Sequence, residues 1–177
     1  MKSGLLKWIA LAVVLCLCQG CNSQKRPEEK RQKAYKKLLI EGADLLKRQK
    51  FQDAFDMFDR AVTKMPEAAE GYLNRGITRV LLKEYEKAVG DFTEAIKRDD
   101  KLAIAYADRG IAYDHLGQQK EALSDYKKAL AIDPNQIKGP GFLERFMYKK
   151  PKTPDVRERA VFLEKTMRSK DSRNDPS

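Results

Sequence analysis

Side chains able to do covalent or metal chemistry are few in this chain, and their positions argue against catalysis. There are three cysteines, Cys16, Cys18 and Cys21, and one histidine, His115. A zinc site draws on several His and Cys ligands, and a lone histidine far from every thiol cannot build one. No Ser, His and Asp stand at a spacing that predicts a triad. No Gly-rich run ending in Lys offers a phosphate cradle. The paired carboxylates Asp99 and Asp100 fall near a helix end, where a solvated turn is expected. No enzyme activity, no metal and no cofactor are expected, apart from a group joined to a cysteine.

That group concerns the N-terminus. Lys2 and Lys7 precede an uncharged run from Trp8 to Gly20, thirteen residues that end in a small residue and Cys21. A positive start, a short apolar stretch and a small residue make a secretory signal. A membrane span needs about 20 apolar residues, so the run is too short for one. The junction Leu17-Cys18-Gln19-Gly20-Cys21 resembles the end of a bacterial lipoprotein signal. The resemblance implies removal of residues 1–20 and diacylglyceryl transfer to the Cys21 sulfur. Cys16 and Cys18 follow leucines and fit that pattern poorly. Asn22, standing where an Asp would favour the inner membrane, implies by the same resemblance an outer-membrane, periplasm-facing location. Residues 21–34 then read as the lipidated cysteine and a polar tether, a plain spacer that can turn helical from Glu28; alternatively Lys25, Arg26, Lys30, Arg31 and Lys33 could touch anionic headgroups.

The remaining positive charge is spread out. The chain carries +10 in total, and loss of the leader with Lys2 and Lys7 leaves +8. Acids alternate with the bases throughout residues 35–136, which describes a solvated surface and not a nucleic-acid stripe. We expect no nucleic-acid partner.

Those 102 residues repeat. At a shift of 34, Gly42, Gly76 and Gly110 coincide, as do Ala54, Ala88 and Ala122. So do Phe58, Phe92 and Tyr126, and then Ala61, Ala95 and Ala129. Self-similarity at this period marks stacked two-helix units. The pattern resembles tetratricopeptide repeats, with units at 35–68, 69–102 and 103–136. The third unit carries Tyr106, Tyr113 and Pro134 at the expected places, whereas Arg79 and Asp100 depart from the pattern in the second. The implied fold is an all-α solenoid of three helix-turn-helix repeats, the third with helices at about 104–116 and 120–132. The glycine and the first alanine should mark the helix crossing. The aromatic column should fill space between each second helix and the next unit.

The resemblance also implies a concave face lined by the first helices, here Leu39, Ala43, Leu46, Leu73, Ile77, Val80, Ile104 and Ile111, with Asn74 and Asp108 beside them and Asp114 and His115 near the rim. Such an apolar groove suits an amphipathic helix or an extended peptide. Chaperone-binding members of the family grip a C-terminal carboxylate with Lys and Asn. At those positions this chain has Leu39, Ala43, Asn74, Ile104 and Asp108, so only Asn74 matches.

Residues 137–168 are expected to cover the end of the stack, because a terminal repeat exposes an apolar face. Gly139-Pro140-Gly141 breaks the chain, and Phe142 to Tyr148 reads as a short apolar helix. Thr153-Pro154 reads as a helix start. Val156, Ala160, Leu163 and Met167 fall on one helical face, and residues 169–177 read as a frayed tail. The expected function is a lipid-anchored adaptor that recruits a protein or peptide. The alternatives are a pilotin or outer-membrane assembly factor, and a structural lipoprotein that self-associates without a separate ligand.

Overall fold

The computed structural model describes residues 26–135 and 155–171. Among them are seven helices and no strand. Helix α1 covers 26–47, followed by α2 (Phe51–Lys64), α3 (Ala69–Leu81), α4 (Tyr85–Arg98), α5 (Ala103–His115), α6 (Gln119–Ile132) and α7 (Val156–Asp171). They pair as α1/α2, α3/α4 and α5/α6, each helix packing on the next, and α7 closes on α6. The third unit's helices fall within a residue of the expected bounds. No helix among the described residues is long and apolar enough to cross a membrane. Cys21 and the leader, Gly139 to Tyr148, and Thr153-Pro154 lie outside the described residues.

The repeat columns now have distances. A Cβ built on Gly42 would meet the Phe58 ring at 2.6 Å, one on Gly76 the Phe92 ring at 2.8 Å, and one on Gly110 the Tyr126 ring at 2.7 Å. Contacts below 3.0 Å require something to move, so only glycine lets the two helices of a unit approach this closely. Each ring of the aromatic column lies against the glycine of its own unit's first helix, and Phe58 also shares a core cluster with Tyr72, Leu73 and Ile77 of the next unit. The alanine columns at 54, 88 and 122 and at 61, 95 and 129 are fully buried.

The turn inside each unit repeats as well. Gln49, Lys83 and Gly117 have φ of 59°, 63° and 74°. The amide three residues beyond the helix donates back to the last turn: Lys50 to Leu45 (2.9 Å), Glu84 to Arg79 (2.8 Å) and Gln118 to Tyr113 (2.9 Å). This left-handed cap reverses the chain in few residues. Only the third unit uses the residue type that adopts it without strain.

Two expected boundaries shift at the ends of the chain. The polar stretch through residue 34 is helical from residue 26, two residues before Glu28, and continuous with the first repeat helix. Its Glu, Lys, Arg and Gln are good helix formers. Arg31 reaches Glu67 in the following inter-unit loop at 2.5 Å, holding this extension to the body. At the other end, Asp155 caps α7. Its Oδ1 accepts the Glu158 amide (2.8 Å), and the Glu158 Oε2 accepts the Asp155 amide (3.2 Å). That reciprocal pair satisfies two otherwise orphaned donors. Helix α7 continues to Asp171, three residues beyond the expected stop. Its predicted face holds: Val156, Ala160 and Leu163 are buried in one cluster with Leu123 and Tyr126, and Met167 packs against that cluster.

Candidate functional site

The first helices α1, α3 and α5 carry the proposed groove positions, and packing divides those positions into two sets. Leu46, Ile77, Val80 and Asp108 are at most 2% exposed, and Leu73 is 9% exposed. Leu46, Leu73, Ile77 and Val80 belong to the core cluster that includes Phe58 and Phe92. These positions do not line an open groove. Helices α3 and α5 each touch their own second helix and the second helix of the preceding unit, and they also touch each other. Their broad apolar stripes are therefore used up in packing on several sides.

The second set stays partly open. Leu39, Ile104 and Ile111 lie against the core cluster without being enclosed. Ala43 and Asn74 are also intermediate in exposure. Asn74 is not free to reach outward with both amide hydrogens, because its Nδ2 donates to the Glu70 carbonyl at 2.8 Å. The carboxylate-gripping set is thus missing in geometry as well as in residue type. Leu39 and Ile104 are apolar, Asp108 is buried, and Asn74 is turned to its own helix. What remains suits apolar side chains.

Beside this face runs a polar seam that the repeat columns did not reveal. Arg75 on α3 forks onto Asp91 of α4, with Nη2 to Oδ1 at 2.6 Å, and reaches back to Asp59 of α2 at 2.6 Å. Arg109, one period later, forks onto Asp125 of α6 at 2.7 and 2.8 Å and donates to the Thr93 hydroxyl of α4 at 3.1 Å. Each arginine therefore joins three helices and two units. Arg79 adds a second cation to Asp91 at 2.7 Å and lies over the Phe55 ring at 5.3 Å. Its departure from the apolar pattern has this purpose. Burial pushes the Asp91 carboxyl above its ordinary range, and the Arg75 fork opposes that shift. Two guanidinium groups keep this buried acid satisfied, and bidentate arginine contacts are the strong kind. The sequence signal was present as Asn74-Arg75-Gly76 and Asp108-Arg109-Gly110, an arginine preceding the glycine in two of three units.

The rim residues find structural partners. Asp114 accepts two hydrogen bonds from Arg159 of α7, at 2.6 and 2.9 Å, and one from the Tyr126 hydroxyl at 3.2 Å. The His115 ring stacks on Tyr85 with centroids 4.5 Å apart and planes 8° apart. Desolvation lowers its pKa from the ordinary value, and Arg159 adds to the effect against Asp114. Among the described residues, no group of three or more His, Cys, Asp and Glu is placed to hold a metal ion.

Comparisons with known proteins agree with this geometry. Models described as tetratricopeptide repeat match residues 39–102 and 103–136. No protein of curated function matches the sequence. Among solved structures, the Sgt2 domain from Aspergillus fumigatus superposes with a TM-score of 0.64 at 19% identity, covering 81% of this chain and 85% of its own. The OM64 domain from Arabidopsis gives 0.61 at 24% identity, covering 79% of this chain and 98% of its own. The second such domain of human RPAP3, solved in complex with the HSP70 peptide SGPTIEEVD, gives 0.59 at 22% identity over 78% and 98%. At these identities the likeness concerns the fold. With the family models spanning more than half of the sequence and the glycine–aromatic crossings repeated three times, the chain belongs to the tetratricopeptide repeat family.

Proposed function

We propose that this protein is a non-catalytic adaptor, lipid-anchored through Cys21 on the periplasmic side of a bacterial outer membrane, that holds a protein or peptide by apolar side chains. The observation that carries the binding reading is the set of partly open apolar residues on the outer first helices, Leu39 on α1 and Ile104 and Ile111 on α5. Solved domains of the same fold support it, since one is described with a bound peptide. That peptide ends in Glu-Glu-Val-Asp. The present chain lacks the basic residues for such an end, so its ligand is expected to be apolar instead of acidic.

The test is crosslinking in cells followed by pull-down, comparing wild type with Leu39→Gln plus Ile104→Gln plus Ile111→Gln. Substitutions at Ile77 would report on folding, because that residue is buried. Loss of the recovered partners at unchanged melting temperature supports the groove, and recovery of the same partners places the site elsewhere. The anchor is tested separately. Cys21→Ala should release the protein from membranes, and persistence there defeats lipidation.

Self-association has one observation in its favour. Val161 and Phe162 on the outer side of α7 are 61% and 54% exposed. A strictly monomeric mature chain in sedimentation would remove that reading.

A further inference from the structure

The outward side of α1 carries Arg26, Lys30, Lys33 and Lys37. Their spacing of four, three and four residues places them in one stripe along the helix. Tyr35, Gly42 and Leu46 face the core from the opposite side. All four cations are exposed. Alongside the stripe, α1 and α2 form a groove of about 540 Å³ lined by Ala34, Lys37, Leu38, Glu41, Arg60, Thr63 and Lys64, three cations against one acid. Arg60 and Lys64 add two cations to the same front face of the first unit.

These charges are largely uncompensated. Among the described residues, Arg26, Lys30, Lys33, Arg60 and Lys64 form no ion pair, and Lys37 meets Glu41 only at 3.6 Å. The nearby acids are engaged or displaced. Glu28 pairs with Arg31, which also holds Glu67. Glu29 stands at one edge, and Asp44, paired with Arg48, lies beyond the stripe's end. Elsewhere Lys87, Lys97 and Lys127 each reach a glutamate within 3.3 Å, while the exposed Lys120 and Lys128 of α6 stand apart from one another without forming a stripe.

We infer that this front face lies on the anionic headgroups of the bilayer, with the α1 stripe along the surface and the groove receiving a lipid phosphate. The inference rests on the proposed Cys21 anchor, which places Arg26 only five residues from the lipid. Five residues span at most about 17 Å, so the start of α1 stays within that distance of the lipid. A basic stripe held there is attracted to anionic lipid, each cation strengthening contact about fivefold. Leu39 and Ile104 belong to another side of α1 and to a later unit, so this docking would leave the proposed binding face open. It would give the repeat domain a fixed orientation on the bilayer.

The mature protein with its native lipid is mixed with vesicles of phosphatidylcholine, or of phosphatidylcholine with phosphatidylglycerol. Flotation and amine-reactive labelling of individual lysines are then read. The expected result is flotation with both, with labelling of Lys30, Lys33, Lys37 and Lys64 reduced about fivefold on the anionic vesicles alone. Lys101, Lys120 and Lys128 should be unchanged, and high salt should abolish the protection. Flotation with both and equal labelling overturns the inference while leaving the anchor intact. Flotation with anionic vesicles only supports the stripe and removes the anchor. Flotation with neither removes both. Protection by inorganic phosphate on neutral vesicles would overturn the bilayer as the occupant. Lys30→Gln plus Lys33→Gln plus Arg60→Gln changes exposed positions only, and should remove the protection of Lys37 and Lys64 without changing the melting temperature.

Discussion

The two ends of this solenoid solve the same problem in different ways. A stack of repeats leaves an uncovered face at each end. At the C-terminal end, α7 lays Val156, Ala160 and Leu163 onto Leu123 and Tyr126, and Arg159 fastens it to Asp114. At the N-terminal end, α1 is the outermost helix among the described residues, and its exposed side carries lysines and arginines with one exposed isoleucine, Ile40 at 70%. One end is therefore sealed by apolar burial, and the other is made soluble by charge. A sealed end contributes to stability, whereas a charged end is available for contact.

The difference can be broken at the sealed end first. Leu163 is fully buried, and Leu163→Ala should cost about 2–4 kcal/mol, as buried leucine truncations do. Ile40→Ala at the open end should change stability by less than about 0.5 kcal/mol. Equal effects in urea unfolding would contradict the contrast. The next effect concerns the crossings between the ends. Gly76→Ala would place a methyl 2.8 Å from the Phe92 ring, with the Asp91 Cβ also at 3.2 Å. It should destabilise by about 1–3 kcal/mol, and Phe92→Leu should recover part of that loss in the double variant.

Smaller effects sharpen the comparison. Asp155→Ala removes the α7 cap and should cost about 1 kcal/mol, with hydrogen exchange rising in α7 and not in α1. His115, beside the Asp114–Arg159 latch, gives a pH test of the same end. Its pKa is lowered in the folded chain, so the unfolded chain takes up the proton first as pH falls. The corresponding stability is complete above the ordinary histidine value of about 6.5 and is lost as pH drops through the folded value. Melting temperatures of His115→Gln should therefore fall less than those of wild type between neutral and mildly acidic pH.

Much of the fold could be read from residue spacing, because helix crossings make local demands. Gly42, Gly76 and Gly110 recur because a Cβ has no room there, and the aromatic rings recur because they fill the space the glycines leave. The binding face was less accessible. Periodicity shows that Leu39, Leu46, Leu73, Ile77 and Val80 are apolar residues of first helices. It does not show that Leu46, Ile77 and Val80 are covered while Leu39 stays partly open. The arginine seam was overlooked for a related reason. Arg75 and Asp91 lie sixteen residues apart, beyond any helical spacing, and the first unit has Glu41 and Met57 in their places.

By itself the sequence determined the repeat period, the helix pairs, the turn positions and the apolar face of α7, since all of these follow from local propensity and from the small set of side chains that fit a close crossing. Only the tertiary structure decided which apolar residues remain open, which carboxylates the arginines hold, and that α1 begins by residue 26, before the first repeat. Those outcomes depend on what lies across from each side chain: Glu67 drawing in Arg31, Asp91 drawing in Arg75 and Arg79, and α7 covering the last unit. Such neighbours come from distant parts of the chain, and local spacing carries no record of them.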